Sequence, residues 1–148
     1  MKVIRAVAVA LIAGIVVFAP RADTQEANSE ATGKVRAKRI FSGTKTNSGQ
    51  PIKLQQGDVE VVVWMYDIPV GSKLPVHKHP YQRYAYVLQG TLQVTDVANG
   101  RSFEYKAGDF IVEMVDGWHY GANNGRGPVR LLVIDQVQPG QANSILQK

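Results

Sequence analysis

The sequence predicts an all-β domain, a small sandwich or barrel of seven or so strands. Three observations carry this. Short runs rich in β-branched and aromatic residues recur along the chain, the clearest being Val59 to Tyr66. Turn chemistry separates them, most sharply at Asn99-Gly100, the pair that suits a tight hairpin. No segment after residue 22 carries a helical period. Many short strands with frequent turns are the signature of a sandwich or barrel.

The elements follow in order. Residues 1–22 read as a secretory signal: the basic start Met1 to Arg5, an apolar run from Ala6 to Ala19, then Pro20-Arg21-Ala22. The apolar run is 14 residues, short of the ~20 that span a bilayer. A retained anchor and a buried helix are the alternatives. Cutting after Ala19 leaves Pro20 at +1, and cutting after Ala22 leaves it at −3, so the cleavage point stays open. Residues 23–33 are small and polar and read as a flexible linker. The barrel is expected over 34–138. Val35 to Phe41 is its first strand candidate, and Lys45 to Pro51 is a turn. Val59 to Tyr66 follows, then a turn from Pro69 to Pro75. Arg83 to Leu88 and Thr91 to Val97 are strands, with Arg101 to Tyr105 pairing back across the hairpin. Phe110 to Val115 and Val129 to Val137 complete the set. Residues 139–148 are expected as a C-terminal tail, loose or a short turn.

Composition bounds the function. The chain has 148 residues, suited to one domain, and 0 cysteines, so it has no disulfides, thiol nucleophile or sulfur ligand. Its net charge of +5 overstates its basicity. Lys2, Arg5 and Arg21 lie in the leader; taking these from 17 leaves 14 basic residues against 12 acidic, a net +2. The one basic cluster, Lys34, Arg36, Lys38 and Arg39, lacks any nucleic-acid recognition motif and reads as a solvated edge. No nucleic-acid partner is expected, and no membrane contact beyond export. There is no phosphate-binding loop and no dinucleotide fingerprint.

The 3 histidines are more telling. His77 and His79 stand two apart, so on a strand they share a face. His119 follows in Gly117-Trp118-His119-Tyr120. Three imidazoles so placed can converge on one divalent ion, with Fe, Mn, Zn, Ni and Cu all open. Three protein ligands leave coordination positions free, as catalytic sites do. With every histidine assigned, no Ser-His-Asp triad is available.

Gly71 to Gly90, GSKLPVHKHPYQRYAYVLQG, and Gly108 to Asn123, GDFIVEMVDGWHYGAN, together resemble the two motifs of the cupin family. The first has the form G-x5-H-x-H-x3/4-E-x6-G, and both glycines, both histidines and the spacing match. In the second, G-x5-P-x-G-x2-H-x3-N, Gly108, His119 and Asn123 match, while Met114 and Asp116 stand in place of the proline and glycine. The resemblance spans roughly residues 50 to 138 and implies a jelly-roll barrel (a double-stranded β-helix), a metal at the histidines and a homodimer. It also implies a glutamate ligand where this chain has Arg83, so the expected site offers three histidines and no carboxylate.

Arginine is always charged and accepts no hydrogen bond, so Arg83 is no ligand. Facing a divalent ion at ~5 Å with an effective dielectric near 20, it would cost roughly 6 kcal/mol before relaxation. An anion between the two reverses that sign. Arg83 is therefore expected to clamp a small anionic ligand beside the metal, with Tyr81, on the same strand parity, donating a hydrogen bond. Otherwise Arg83 turns away and pairs with Glu104 or Asp109. The other aromatics, Trp64, Tyr66, Trp118 and Tyr120, read as core before pocket, and Asn123 as a turn former. Some cupin-type dioxygenases hold iron by three histidines alone, so the expected function is a dioxygenase-like oxidoreductase on a small anionic molecule, exported to the periplasm or beyond. A non-catalytic module that binds a metal or small ligand is the alternative, and an empty barrel kept as a subunit of an assembly is a third.

Overall fold

The computed structural model describes residues 34–148, and the compact unit that carries every strand runs from Ala37 to Lys148. The proposed signal and linker lie outside the described residues. Among the described residues there is no helix, and hence none long and apolar enough to cross a membrane.

Among the described residues nine strands form: β1 (Glu60–Ile68), β2 (His77–Lys78), β3 (Arg83–Gln89), β4 (Thr91–Asp96), β5 (Ser102–Lys106), β6 (Phe110–Val112), β7 (His119–Ala122), β8 (Val129–Val137) and β9 (Ile145–Leu146). They make two antiparallel sheets, one in the order β1-β8-β3-β6 and the other β5-β4-β7-β2-β9. Apolar side chains from both sheets meet between them: Ile68, Ala85, Val87, Leu92, Val94, Ile111, Val129, Leu131 and Val133. Fully burying such a side chain stabilises by about 1.5–3 kcal/mol. Strand β8 shows why the pattern reads so cleanly. Val129, Leu131, Val133, Asp135 and Val137 alternate inward, and one of the five is a carboxylate.

The hairpin at Asn99-Gly100 forms between β4 and β5, with Gly100 at φ 68°. Asp96 organises it by accepting from the Ala98 N–H and the Asn99 amide, both at 2.9 Å. Gly90, between β3 and β4, has φ 78°, and a Cβ there would stand 2.5 Å from the Pro128 carbonyl oxygen. No other residue fits that turn unstrained.

Three expectations need correction. Val35 to Phe41 is exposed, irregular chain and not a strand; a run with three cations in seven residues has little apolar surface to bury. Residues 77–83 are not one continuous strand. β2 ends at Lys78, Pro80 lies in a bend, and the chain resumes as β3 in the other sheet. Proline fixes φ and lacks the N–H that a ladder needs. Finally, the end of the chain is not loose. Its β9 pairs with β2, Leu146 opposite His77 and Ile145 opposite Lys78.

Candidate metal centre

His77 and His119 face each other across the β2–β7 ladder, and His79 follows immediately after β2. All three are buried. Their ring centroids lie 4.6 to 4.9 Å apart, and one nitrogen from each falls within 4.8 Å of the others. The expected convergence of the three is present.

The backbone decides how the rings are protonated. His77 Nδ1 is 2.8 Å from the Pro75 carbonyl, His119 Nδ1 is 2.8 Å from the Gly117 carbonyl, and His79 Nδ1 is bonded to the Asn143 carbonyl. A carbonyl only accepts, so each Nδ1 carries the proton. In a neutral ring each Nε2 then keeps a lone pair, and His119 Nε2 lies at hydrogen-bond distance from a carboxylate. This is the outer arrangement that orients metal-binding histidines.

The inward face of the other sheet supplies a carboxylate that the sequence reading missed. Glu113 directly follows β6, and its Oε2 stands 3.0 Å from His119 Nε2 and 3.2 Å from His79 Nε2. His79 Nε2 is buried and off the line of a hydrogen bond to that oxygen. A carboxylate against lone pairs is unfavourable unless a proton or a cation lies between them. This chemistry fits a divalent metal: three imidazole nitrogens, one carboxylate oxygen and a buried nitrogen without a donor. The first-motif position indeed holds no carboxylate, but Glu113, from the end of β6, brings one beside His79 and His119. A signal was available. On a strand from Phe110, Glu113 shares the inward parity of Ile111.

Burial alone would raise the Glu113 carboxyl, but His119 and His79 hold it well below the usual carboxylate range. Burial pushes His77 down to about 4, against the Pro75 carbonyl, which favours its cation. His119 is opposed by burial too, yet Glu113 raises it above the ordinary histidine value.

Arg83 does enter the barrel, at the start of β3, and lines the cavity with His77, His119 and Glu113. It is only 6% exposed. Its partner is neither Glu104 nor Asp109. Nε and Nη2 each donate to Asp135 on β8, both at 2.7 Å. Asp135 also accepts from the Asn143 amide at 2.7 Å and the Trp64 indole at 2.9 Å, filling both oxygens. Burial disfavours both charges, but the pairing wins. Arg83 is raised, and Asp135 is held below its usual range.

Tyr81 is not brought to the cavity lining; its hydroxyl is 3.4 Å from Gln138 in an exposed position. The bend at Pro80 removes the parity on which its role was expected. Gln82 is buried, its amide donating to the Arg83 and Glu113 carbonyls, both at 3.0 Å. Asn123 does organise a turn, donating to the Ile68 and Gly127 carbonyls and accepting from the Gly125 N–H. Trp118 and Tyr120 lie under Lys78 and Lys73 as cation–π partners. Tyr66 packs on the core and lines the cavity, while Trp64 is 49% exposed.

The cavity is small, about 30 Å³, with Leu74, Leu92 and Val133 among its apolar walls. A larger cleft of about 280 Å³ lies beside it, lined by Trp64, Tyr66, Val137 and residues 141–144. Arg83 and Tyr66 border both spaces.

A two-sheet barrel with histidines converging inside it defines a class of small β-barrel metal-binding proteins. The family profile described as Cupin domain matches residues 64–135, and the chain belongs to the cupin family. Solved structures agree on the fold. The polyketide cyclase RemF from Streptomyces resistomycificus is 19% identical, with a TM-score of 0.51 over 60% of this chain and 62% of that one. An oxalate decarboxylase from Lactobacillus farciminis, solved with formate, is 26% identical, with a TM-score of 0.51 over 58% of this chain. The DMSP lyase DddQ from Ruegeria pomeroyi DSS-3 is 18% identical, with a TM-score of 0.51 over 59% of this chain. The match spans only 26% of the decarboxylase and 43% of the lyase. A search of curated proteins finds no match.

Proposed function

We propose that this cupin is an exported protein that holds a divalent transition metal at His77, His79, His119 and Glu113, and acts on a small anionic molecule as a dioxygenase-like oxidoreductase. One observation carries the metal: three backbone carbonyls accept from three Nδ1–H groups, which leaves the Nε2 atoms of three converging rings for a cation, two of them beside one carboxylate oxygen. When bound, the metal supplies a Lewis acid and a template for substrate and dioxygen.

The residues set the charge of the site. Three neutral imidazoles and one carboxylate offset half of a divalent charge, which leaves an attraction for an anion. Arg83 adds little, because Asp135 answers its charge at 2.7 Å. Its task here is to wall the cavity rather than to clamp a ligand. The resemblance to a decarboxylase solved with formate supports a small carboxylate as the ligand class. The cavity of about 30 Å³ has room for a group of water size, so only the reacting end of a substrate enters it. Tyr66 and Arg83 separate it from the cleft, where the remainder would lie.

The same two facts, a small cavity and a neutralised arginine, favour the second reading, a non-catalytic module that binds a metal or small ligand. Oxygen uptake separates them. Metal-free protein is loaded in turn with Fe(II), Mn(II), Zn(II), Ni(II) and Cu(II), then given a panel of small carboxylic and aromatic acids. The enzyme reading expects uptake with one metal and one acid class, lost in Glu113→Gln. Tight metal binding with no uptake across the panel favours the module.

The basic and apolar start of the chain supports export to the periplasm or beyond. A homodimer belongs to the same proposal. β1 is an edge strand with Val61, Val63 and Met65 exposed, a surface suited to a second copy. Sedimentation of the mature protein tests this, a monomer at high micromolar concentration being the contrary result.

A further inference from the structure

The segment after β8 does more than end the chain. Asn143 is 5% exposed and sits just before β9. Three of its polar atoms are engaged by three parts of the barrel. Its carbonyl accepts from His79 Nδ1. Its side-chain amide donates to Asp135 Oδ1 at 2.7 Å, and its side-chain oxygen accepts from the Tyr81 N–H at 2.9 Å. Beyond Asn143 the segment is tied to the ligand strand, since His77 pairs with Leu146 and the Gln147 N–H donates to the Val76 carbonyl at 2.9 Å.

We propose that Asn143 is a positioning residue of the metal centre, one that fixes the tautomer and direction of the His79 ring and ties it to the Arg83–Asp135 pair. The physical reason is the difference between the carbonyls. Pro75 and Gly117 each stand two residues before the histidine they hold, so local chain geometry places them. The carbonyl that holds His79 is 64 residues away in sequence. Nothing local keeps it there. The Asn143 side chain does, by anchoring its own backbone to Asp135 on β8 and to Tyr81 just beyond Pro80. A side-chain amide is suited to this because it donates to the carboxylate and accepts from the N–H at once. Without the anchor, His79 is free to put its proton on Nε2 and turn a donor toward the site.

This inference rests on the metal reading for its consequence but not for its geometry, and the test uses both. Full-length protein is prepared as wild type, Asn143→Ala, Asn143→Asp and the control Ile145→Ala, whose side chain is largely exposed. Asn143→Asp keeps an acceptor for Tyr81 while removing the donor to Asp135, and serves should the alanine variant not fold. Long-range ¹H–¹⁵N spectra of the metal-free proteins read the histidine tautomers. Co(II) titration reads affinity and the visible band. His79 is expected as the Nδ1–H form in wild type and the control, and as a mixture in Asn143→Ala. Co(II) affinity is expected to fall about tenfold to a hundredfold in that variant, with an altered visible band. The inference is overturned if both Asn143 variants keep the wild-type His79 tautomer, or if Ile145→Ala shifts it equally. Absence of Co(II) binding in the wild type would instead sink the metal reading and leave the tautomer result to judge Asn143.

Discussion

At the residue scale the centre is a contest between protons and a metal. Glu113 is the member whose loss isolates that contest. Glu113→Gln keeps the shape but removes the charge, and metal affinity is expected to fall at least tenfold by isothermal titration, since outer and inner partners of ligating histidines contribute on that scale. The acid response follows from His77. Its folded value, about 4, lies below the ordinary 6.5, so protonation favours the unfolded chain. The metal-free protein is expected to lose stability as pH falls from about 6.5 to about 4. Glu113 is also depressed, and its contribution is lost in the same acid direction, below the ordinary carboxylate range. His119 has the opposite sign. It is raised, so its contribution is complete below 6.5 and is lost as pH rises through the folded value. Scanning calorimetry from pH 8 to pH 4 at fixed ionic strength checks this. A flat melting temperature below pH 6.5 would contradict the burial of His77 as described.

At the element scale, the strands that the chain announces in its letters are those with long apolar alternation. β8 was expected with the bounds it has, and β3, β4 and β5 within a residue or so, because each combines β-branched residues with a glycine or asparagine turn. The missed strands, β2, β7 and β9, have only 2 to 4 residues and little apolar surface of their own. They are strands because neighbours already in place supply partners, a tertiary effect that no local pattern records. The site was legible to the same degree. The histidine spacing was visible because β2 and β7 lie side by side in one sheet. Glu113 was obscured because its strand faces them from the opposite sheet, a relation set by packing. Asp135 was hidden for a similar reason, as one charge in an otherwise apolar alternation on β8. The turn between β3 and β4 offers a prediction at this scale. Gly90→Ala forces a Cβ to 2.5 Å from the Pro128 oxygen at positive φ, and is expected to cost about 2–3 kcal/mol in urea denaturation.

Across the whole molecule, the interior holds two ionic groups with different tasks. Arg83–Asp135 is a closed pair that joins β3 to β8, and it matters to folding. Removing one partner strands a buried charge, so Arg83→Met alone is expected to cost about 3–5 kcal/mol. The double variant Arg83→Met/Asp135→Leu should recover much of that loss, provided that Trp64 and Asn143 find water or other acceptors. Chemical denaturation of both variants checks it. Glu113 with the histidines is the open group, its carboxylate held by the imidazoles of His119 and His79. That contrast explains how the chain dispenses with the glutamate of the first cupin motif. A carboxylate stands just past the end of the adjacent β6, at Glu113, and Arg83 at the motif position has a partner of its own.

The direct test is the metal content of the mature protein, purified without an affinity tag and measured by elemental analysis beside a His77→Ala/His79→Ala/His119→Ala variant. The account predicts about one transition-metal ion per chain in the wild type and almost none in the variant. A wild type without metal after loading and desalting, or a variant that retains it, would contradict the account.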